Sequence, residues 1–314
     1  MALLPDGSID TLGYLDTVLG LPEHLEVALG TGVSAGLPDP GDVDHVVLAA
    51  TGPLTTAVDL VAALARPVAS VPVFGVERTQ LPGFVGPRSL VLVGGRPPLG
   101  HEASDRGAAV VEFAPTSQVP VERLGAVPVA VQMLRSLAAV AVIDGQDDAV
   151  RAAIVQLRRR RDELGGERSP AARLARRIGR TLPLAYGTDP LGGAAARHWK
   201  RQVNASAKAA SFANWLPGLG DAEIAGWGQH GDMTRQVFSL VLLRHDHEPA
   251  GTRTAVDRLV DLVDEVVHDR HVVDAEGEGP LAQLLDLVFY GDLVAHHLAQ
   301  ELEIDPGPVG SALD

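Results

Sequence analysis

The chain contains no cysteine. Disulfides, a thiolate nucleophile and cysteine-ligated zinc are excluded together. Aromatic residues make up only 4% of the sequence, so a core has to be assembled from Ala, Val and Leu. Lysine is scarcer still. Lys200 and Lys208 are the whole supply, and arginine carries the rest of the 26 basic charges against 40 carboxylates. The resulting formal net charge of -14 repels polyphosphates at long range, which argues against general nucleic-acid binding. No apolar run approaches the roughly 20 residues of a membrane span, and Met1-Ala-Leu-Leu-Pro5 carries no basic leader segment. A cytoplasmic location without a membrane partner is expected. What is present is 46% hydrophobic residues in a 314-residue chain, enough for one large or two ordinary globular domains and too apolar for disorder.

Short β-branched runs alternate with longer Ala/Leu-rich stretches at helical spacing, the pattern of an α/β protein. Strands are expected at His45–Ala50, Ser89–Val93 and Ala108–Phe113, the first two leaving through Thr51-Gly-Pro53 and Gly94-Gly-Arg-Pro-Pro98. Continuous apolar runs of this length suit parallel strands covered on both faces. Leu12–Leu29, Ala57–Ala65 and the long apolar stretch Val127–Val142 are expected helices. A second cycle begins with a strand at Leu182–Tyr186 and a helix from about Gly193 to Ala210. A strand at Gln236–Leu243, another within Asp264–Val273 and a helix over Pro280–Glu301 follow. Two halves with the same strand-turn-helix logic point to an internal duplication.

Between Asp144 and Arg180 the composition changes. Arg158-Arg-Arg-Arg161 precedes Gly165-Gly166 and Ser169-Pro170, which implies two exposed helices separated by a break. The basic run suits either an anionic contact or, as favoured here, a solvated helix face paired with nearby acids. This stretch is the best domain boundary: 1–150 for a first domain, 151–180 for a helical linker, 181–314 for a second.

Signals of chemistry are few. His245-Asp-His-Glu248 follows a strand and His296-His297 sits on the last helix. Neighbouring histidines diverge on a helix and alternate faces on a strand, so neither pair converges on a metal. Both are expected at the surface or in capping roles, and no metal or cofactor is expected. HExxH and P-loop patterns are absent.

One segment stands out. Trp199-Lys-Arg-Gln-Val-Asn-Ala-Ser-Ala-Lys208, then Phe212-Ala-Asn-Trp-Leu-Pro217 and Glu223-Ile-Ala-Gly-Trp227, then the tail Asp305-Pro-Gly-Pro-Val309, resemble the bacterial and archaeal phosphoglucose/phosphomannose isomerases. The resemblance covers Leu182 to Asp314. Within that family the pattern is most similar to the actinobacterial TobH group. It implies two sugar-isomerase (SIS) domains, each a parallel sheet flanked by helices. It also implies a homodimer whose active site is completed across the subunit interface, with phosphorylated aldoses and ketoses as ancestral substrates.

The resemblance also marks departures. The family's catalytic base falls on Ala205, its ring-opening histidine on Asp221, its tail threonine on Gly307 and its following lysine on Asp314. The serine of its first phosphate loop falls near Leu54. Its second phosphate loop corresponds to Gly94–Gly100, where two prolines remove amide donors. Thr51, Thr55, Thr56 and Arg96 are candidates to rebuild some anion affinity, and Asn204 and Lys208 are retained ligand-binding candidates. Asp221 and Glu223 are the candidates for a relocated base. Trp199, Pro217, Gly226 and Trp227 remain as scaffold.

Three functions stay open: a non-catalytic SIS protein that binds a sugar phosphate or a partner, an active phosphosugar isomerase with a relocated base, and a structural partner of a genuine isomerase.

Overall fold

The computed structural model describes residues 9–33, 36–76, 80–95, 98–115, 119–220 and 223–309. The chain divides into two compact units, Gly20–Ile154 and a second made of Met1–Leu19 with Val155–Asp314. The opening segment forms α1 (Tyr14–Leu19) and α2 (Leu21–Gly30). Of these, α1 belongs to the second unit and α2 to the first.

The first unit then holds β1 (His45–Ala50), α3 (Thr55–Ala65), β2 (Val73–Val76), β3 (Ser89–Gly94), α4 (Leu99–Asp105), β4 (Ala109–Phe113) and α5 (Ala126–Ala139). Its four strands are all parallel, in the order β2-β1-β3-β4. The apolar runs of β1 and β3 occupy the centre of the sheet, where Val46 to Ala50 and Leu90 to Val93 are fully buried. Helix α5, expected over Val127–Val142, is buried along most of its length. Strand β2 was not apparent from the sequence.

Helix α6 (Asp147–Leu164), which contains the division between units, and α7 (Pro170–Ile178) follow. Ser169 caps α7 by accepting from the Ala172 amide, and Pro170 opens it. These helices were expected to be exposed; each instead buries one face, through Val150, Ile154, Leu157 and Leu164 on α6 and Leu174 and Ile178 on α7. The arginine run is corrected likewise. Arg160 is 5% exposed and bonds Asp286, Glu163 and Glu276. Only its partnership with acids matches the expectation.

The second sheet comprises β5 (Leu182–Thr188), β6 (Phe212–Leu216), β7 (Phe238–Arg244) and β8 (Asp269–Asp274). It too is wholly parallel, in the order β6-β5-β7-β8. The two sheets therefore repeat one topology, as the duplicated pattern implies. Between the strands lie α8 (Asp189–Gln202), α9 (Gly231–Val237) and α10 (Thr252–Val263), and α11 (Gly279–Glu301) follows the last strand. Every residue of α11 from Leu281 to Ala299 is buried, as suits a helix apolar around most of its circumference. His296 and His297 lie on it at 1% and 6% exposure, and His245 at 6%. The expectation of surface or capping histidines thus fails for these three, because the surrounding helices and strands close over them.

Helices α8 and α11 meet at Trp199, which is 1% exposed and donates from Nε1 to the Leu287 carbonyl at 2.7 Å. The approach is possible because α11 carries Gly291 there; a Cβ at that position would lie 2.5 Å from Trp199 Nε1. Gly291→Ala is therefore expected to destabilise the protein by about 1–3 kcal/mol, the usual cost of overpacking. A fall in the urea midpoint of unfolding checks it.

Candidate functional site

Helix α8 passes directly into a single π-helical turn, Val203–Ala207, and then into Lys208 with φ 51°. Such turns widen a helix locally and often accompany functional positions. Here the turn carries Asn204 and Ala205. Asn204 Oδ1 accepts from the Ser211 amide at 2.8 Å, which fixes the exit of the chain towards β6. Lys208 Nζ donates to the Ala205 carbonyl and, at 2.5 Å, to the Pro308 carbonyl. The tail is thus fastened to the turn through backbone oxygens.

The tail has its own anchor. Asp305 accepts from the Thr11 hydroxyl at 2.5 Å on Oδ2, and from the Thr11 and Gly307 amides at 3.3 and 3.0 Å on Oδ1. Burial alone would raise the Asp305 carboxyl, but these bonds and the Lys208 charge together hold it below the usual carboxylate range. A Cβ at Gly307 would come 2.8 Å from Leu12 Cβ, so a threonine there requires Leu12 to move. Within 203–208 and 305–309, Lys208 and Asp305 are the only titratable side chains. Both are engaged, and Ala205 contributes a methyl group.

The relocated-base candidates differ in standing. Glu223 receives the Tyr186 hydroxyl on Oε1 and the Asn214 amide on Oε2. Burial, reinforced by the bond to Glu223, raises the Tyr186 phenol far above its ordinary value, which keeps it a donor. Glu223 therefore ties the segment after β6 to strands β5 and β6. Asp221 lies outside the described residues, as do Arg96 and Asp314.

In the first sheet, β1 leads through α3 to β2 on one side while β3 lies on the other. The crevice at the carboxyl ends of β1 and β3 is a topological switch point, where open α/β sheets bind ligands. Thr51 lies there, exposed just past β1. Thr55 opens α3 and donates its hydroxyl to the Gly52 carbonyl at 2.9 Å, and Thr56 is buried at 4% exposure. Of the three threonines, Thr51 has the hydroxyl most open to solvent.

The equivalent switch point of the second sheet, between β5 and β7, contains a cluster not recognised in the sequence. Gly187 permits the turn from β5 into α8, since a Cβ there would lie 2.1 Å from the Gly192 backbone. Asp189, at φ 51°, accepts from the Leu191 and Gly192 amides. Its Oδ1 also lies 3.2 Å from His245 Nε2, and Thr188 donates to Glu248 at 2.9 Å. Glu248 is gripped by Arg244 through two bonds of 2.6 Å. Burial would raise Glu248, but Arg244 and Thr188 outweigh it and hold the carboxyl low.

This arrangement resembles a hydroxyl-imidazole-carboxylate relay, but the atoms do not form one. His245 Nδ1 accepts from the His247 amide at 3.2 Å, which leaves the ring proton on Nε2. That same Nε2 faces both Thr188 and Asp189. A relay needs an unprotonated nitrogen at the hydroxyl and the other nitrogen at the carboxylate. The cluster is a satisfied network that closes the turn after β7. No grouping of three or more His, Asp or Glu suited to a metal ion occurs among the described residues. Among those residues, too, no helix is long and apolar enough to cross a membrane.

Two parallel four-stranded sheets of matching order, each flanked by helices, define an α/β protein of the SIS phosphosugar-isomerase fold. The C-terminal domain of glucosamine-fructose-6-phosphate aminotransferase from Francisella tularensis shares it at TM-score 0.66, covering 94% of this chain and 98% of that one at 10% identity. The tagatose-6-phosphate ketose/aldose isomerase from Escherichia coli does so at TM-score 0.66, covering 96% of each chain at 13% identity. A glucose-6-phosphate isomerase like protein from Thermus thermophilus does so at 0.58, covering 96% of this chain and 97% of that one at 23% identity.

Sequence comparison narrows the class. Residues 167–313 match the bacterial phospho-glucose isomerase C-terminal SIS domain. The bifunctional phosphoglucose/phosphomannose isomerase of Caldicellulosiruptor bescii is 24% identical over 94% of this chain and 95% of its own length. That of Aquifex aeolicus is 31% identical over 43% of this chain and 42% of its own. The chain is thus similar in sequence to bacterial bifunctional phosphoglucose/phosphomannose isomerases, and its residues 167–313 to their C-terminal SIS domain.

Proposed function

We propose that this protein is a non-isomerising SIS protein of the TobH-like group that binds a sugar phosphate or a partner protein in carbohydrate metabolism. The observation that carries the proposal is the turn at the end of α8. Ala205 stands where the family resemblance implies the base, and the two titratable groups around it are engaged by backbone and by Thr11. The Lys208 ammonium has no lone pair with which to take a proton, and the Asp305 carboxylate already accepts three hydrogen bonds. Asn204 and Lys208 in the second unit are the proposed contacts for a ligand's polar groups, and Thr51 is a separate candidate within the first.

An active isomerase with a relocated base is the second reading. The occupied oxygens of Glu223 weigh against that residue as the base. The discriminating experiment pairs a coupled assay for fructose 6-phosphate with a melting scan in glucose 6-phosphate. The proposal requires no turnover together with a ligand-induced shift. Turnover abolished by Glu223→Ala or Asp221→Ala would replace it with the second reading.

A homodimer belongs to the same proposal. Supporting it, Phe212 and Trp215 stand 48% and 37% exposed on β6, an edge strand, and exposed edges are commonly covered. Light scattering at micromolar concentration is expected to give twice the chain mass, and a monomer would remove this part of the proposal.

A further inference from the structure

A second polar cavity lies away from the turn at the end of α8 and shares no lining residue with it. Pro170, Arg173 and Arg177 recur on α7 at the spacing that places them on one helical stripe. Together with Arg270 and His271 of β8 and Tyr290 of α11, that stripe lines a cavity of about 280 Å³.

Its chemistry is unlike the rest of the molecule. In a chain of net charge -14, the residues lining this cavity include three arginines and no carboxylate. Two acids engage its lining residues. Asp264 bonds Arg270 at 3.0 Å, and Asp269 lies 3.4 Å from His271 Nε2. Arg173 gives one nitrogen to the Arg168 carbonyl at 2.7 Å and keeps its other donors. His271 is 7% exposed, and its Nε2 makes no hydrogen bond. Burial, with Arg177 and His268 adding to it against Asp269, holds that imidazole below its ordinary value.

Guanidinium forks match the tetrahedral oxygens of phosphate and bind them through paired, charge-assisted bonds. The volume exceeds that of inorganic phosphate and leaves room for a small organic group beside it. We propose that this cavity binds the phosphate of a small phosphomonoester, held by Arg173, Arg177 and Arg270 over His271.

The test is calorimetric titration of the full chain with inorganic phosphate and with glucose 6-phosphate, against chloride at matched ionic strength. Both ligands are expected to bind. Arg173→Ala/Arg177→Ala should weaken both by at least about tenfold, the scale of losing a charge-assisted bond. These side chains are exposed, and an unchanged melting midpoint without ligand checks the variant's fold. Lys208→Ala should leave inorganic phosphate binding unaltered. No binding of phosphate by the unaltered protein would overturn the proposal. So would binding that survives the double arginine variant. Sugar-phosphate binding lost in Lys208→Ala but kept in the arginine variant would overturn this site while leaving the proposed function standing.

Discussion

Incubated with glucose 6-phosphate or mannose 6-phosphate, the purified protein is expected to form no fructose 6-phosphate above background in a coupled assay. Isomerisation requires a base that shuttles a proton between two carbons, and a positioned base contributes roughly 10²- to 10⁴-fold. At about 1.36 kcal/mol per tenfold in rate, its loss alone adds about 3–5 kcal/mol to the barrier. The turn at Val203–Ala207 offers only the methyl of Ala205, the committed amide of Asn204 and the hydroxyl of Ser206. Ala205→Glu by itself is expected to leave the protein inactive. The new carboxylate would stand beside Lys208, whose ammonium is fastened to the Ala205 and Pro308 carbonyls, and would draw it into an ion pair. Gly307 meanwhile still lacks a hydroxyl, and Leu12 occupies the space one would need. Measurable turnover by the unaltered chain, or its appearance in Ala205→Glu, would defeat this account.

Much of the architecture was legible because the central strands of a parallel sheet must be apolar on both faces. His45–Ala50, Ser89–Gly94 and Leu182–Thr188 satisfy that requirement visibly. The strands that escaped notice, Val73–Val76 and Phe212–Leu216, are edges in the sheet orders. An edge strand has one neighbour and partial cover, so glycine at Gly75 and amide at Asn214 are tolerated and the pattern blurs. The helix ahead of β8 was hidden for another reason. Its apolar stripe, Val256, Leu259 and Val263, is interleaved with Asp and Arg, which dilutes the hydrophobic signal. The candidate site was legible where a single segment carried it, as at Asn204 to Lys208. The structural network of Thr188, Asp189, His245 and Glu248 was not legible, because the fold assembles it across two strands and nearly sixty intervening residues. Charge runs mislead most. Nothing local distinguishes Arg160 from Arg158, Arg159 or Arg161, yet Arg160 alone lies within the core.

Arg160→Met is expected to be among the most damaging single substitutions in the molecule, costing about 3–5 kcal/mol as the breaking of a buried ion pair does. Asp286 is fully buried, and its carboxylate receives Arg160 Nε at 2.6 Å and the Glu276 amide at 2.9 Å. Without the guanidinium, one backbone amide would be its remaining bond. The reverse substitution, Asp286→Ala, is expected to cost less. Arg160 then retains Glu163 and Glu276, each 2.7 Å away and partly in water. The asymmetry has a pH signature. Burial already raises Asp286 above the ordinary carboxylate value, against the pull of Arg160, and removing the arginine raises it further. In Arg160→Met the folded chain would then hold a proton that the unfolded chain releases near the ordinary carboxylate value of about 3.9. Its stability should fall as pH rises from that value through the raised one, because the folded state binds more protons there. Urea unfolding at pH 5 and pH 8 is the measurement. The deficit of Arg160→Met relative to the unaltered protein should be smaller at pH 5, and that of Asp286→Ala should not show this trend. Equal deficits at both pH values, or a larger cost for Asp286→Ala than for Arg160→Met, would show that the pair does not bear the charge balance assigned to it.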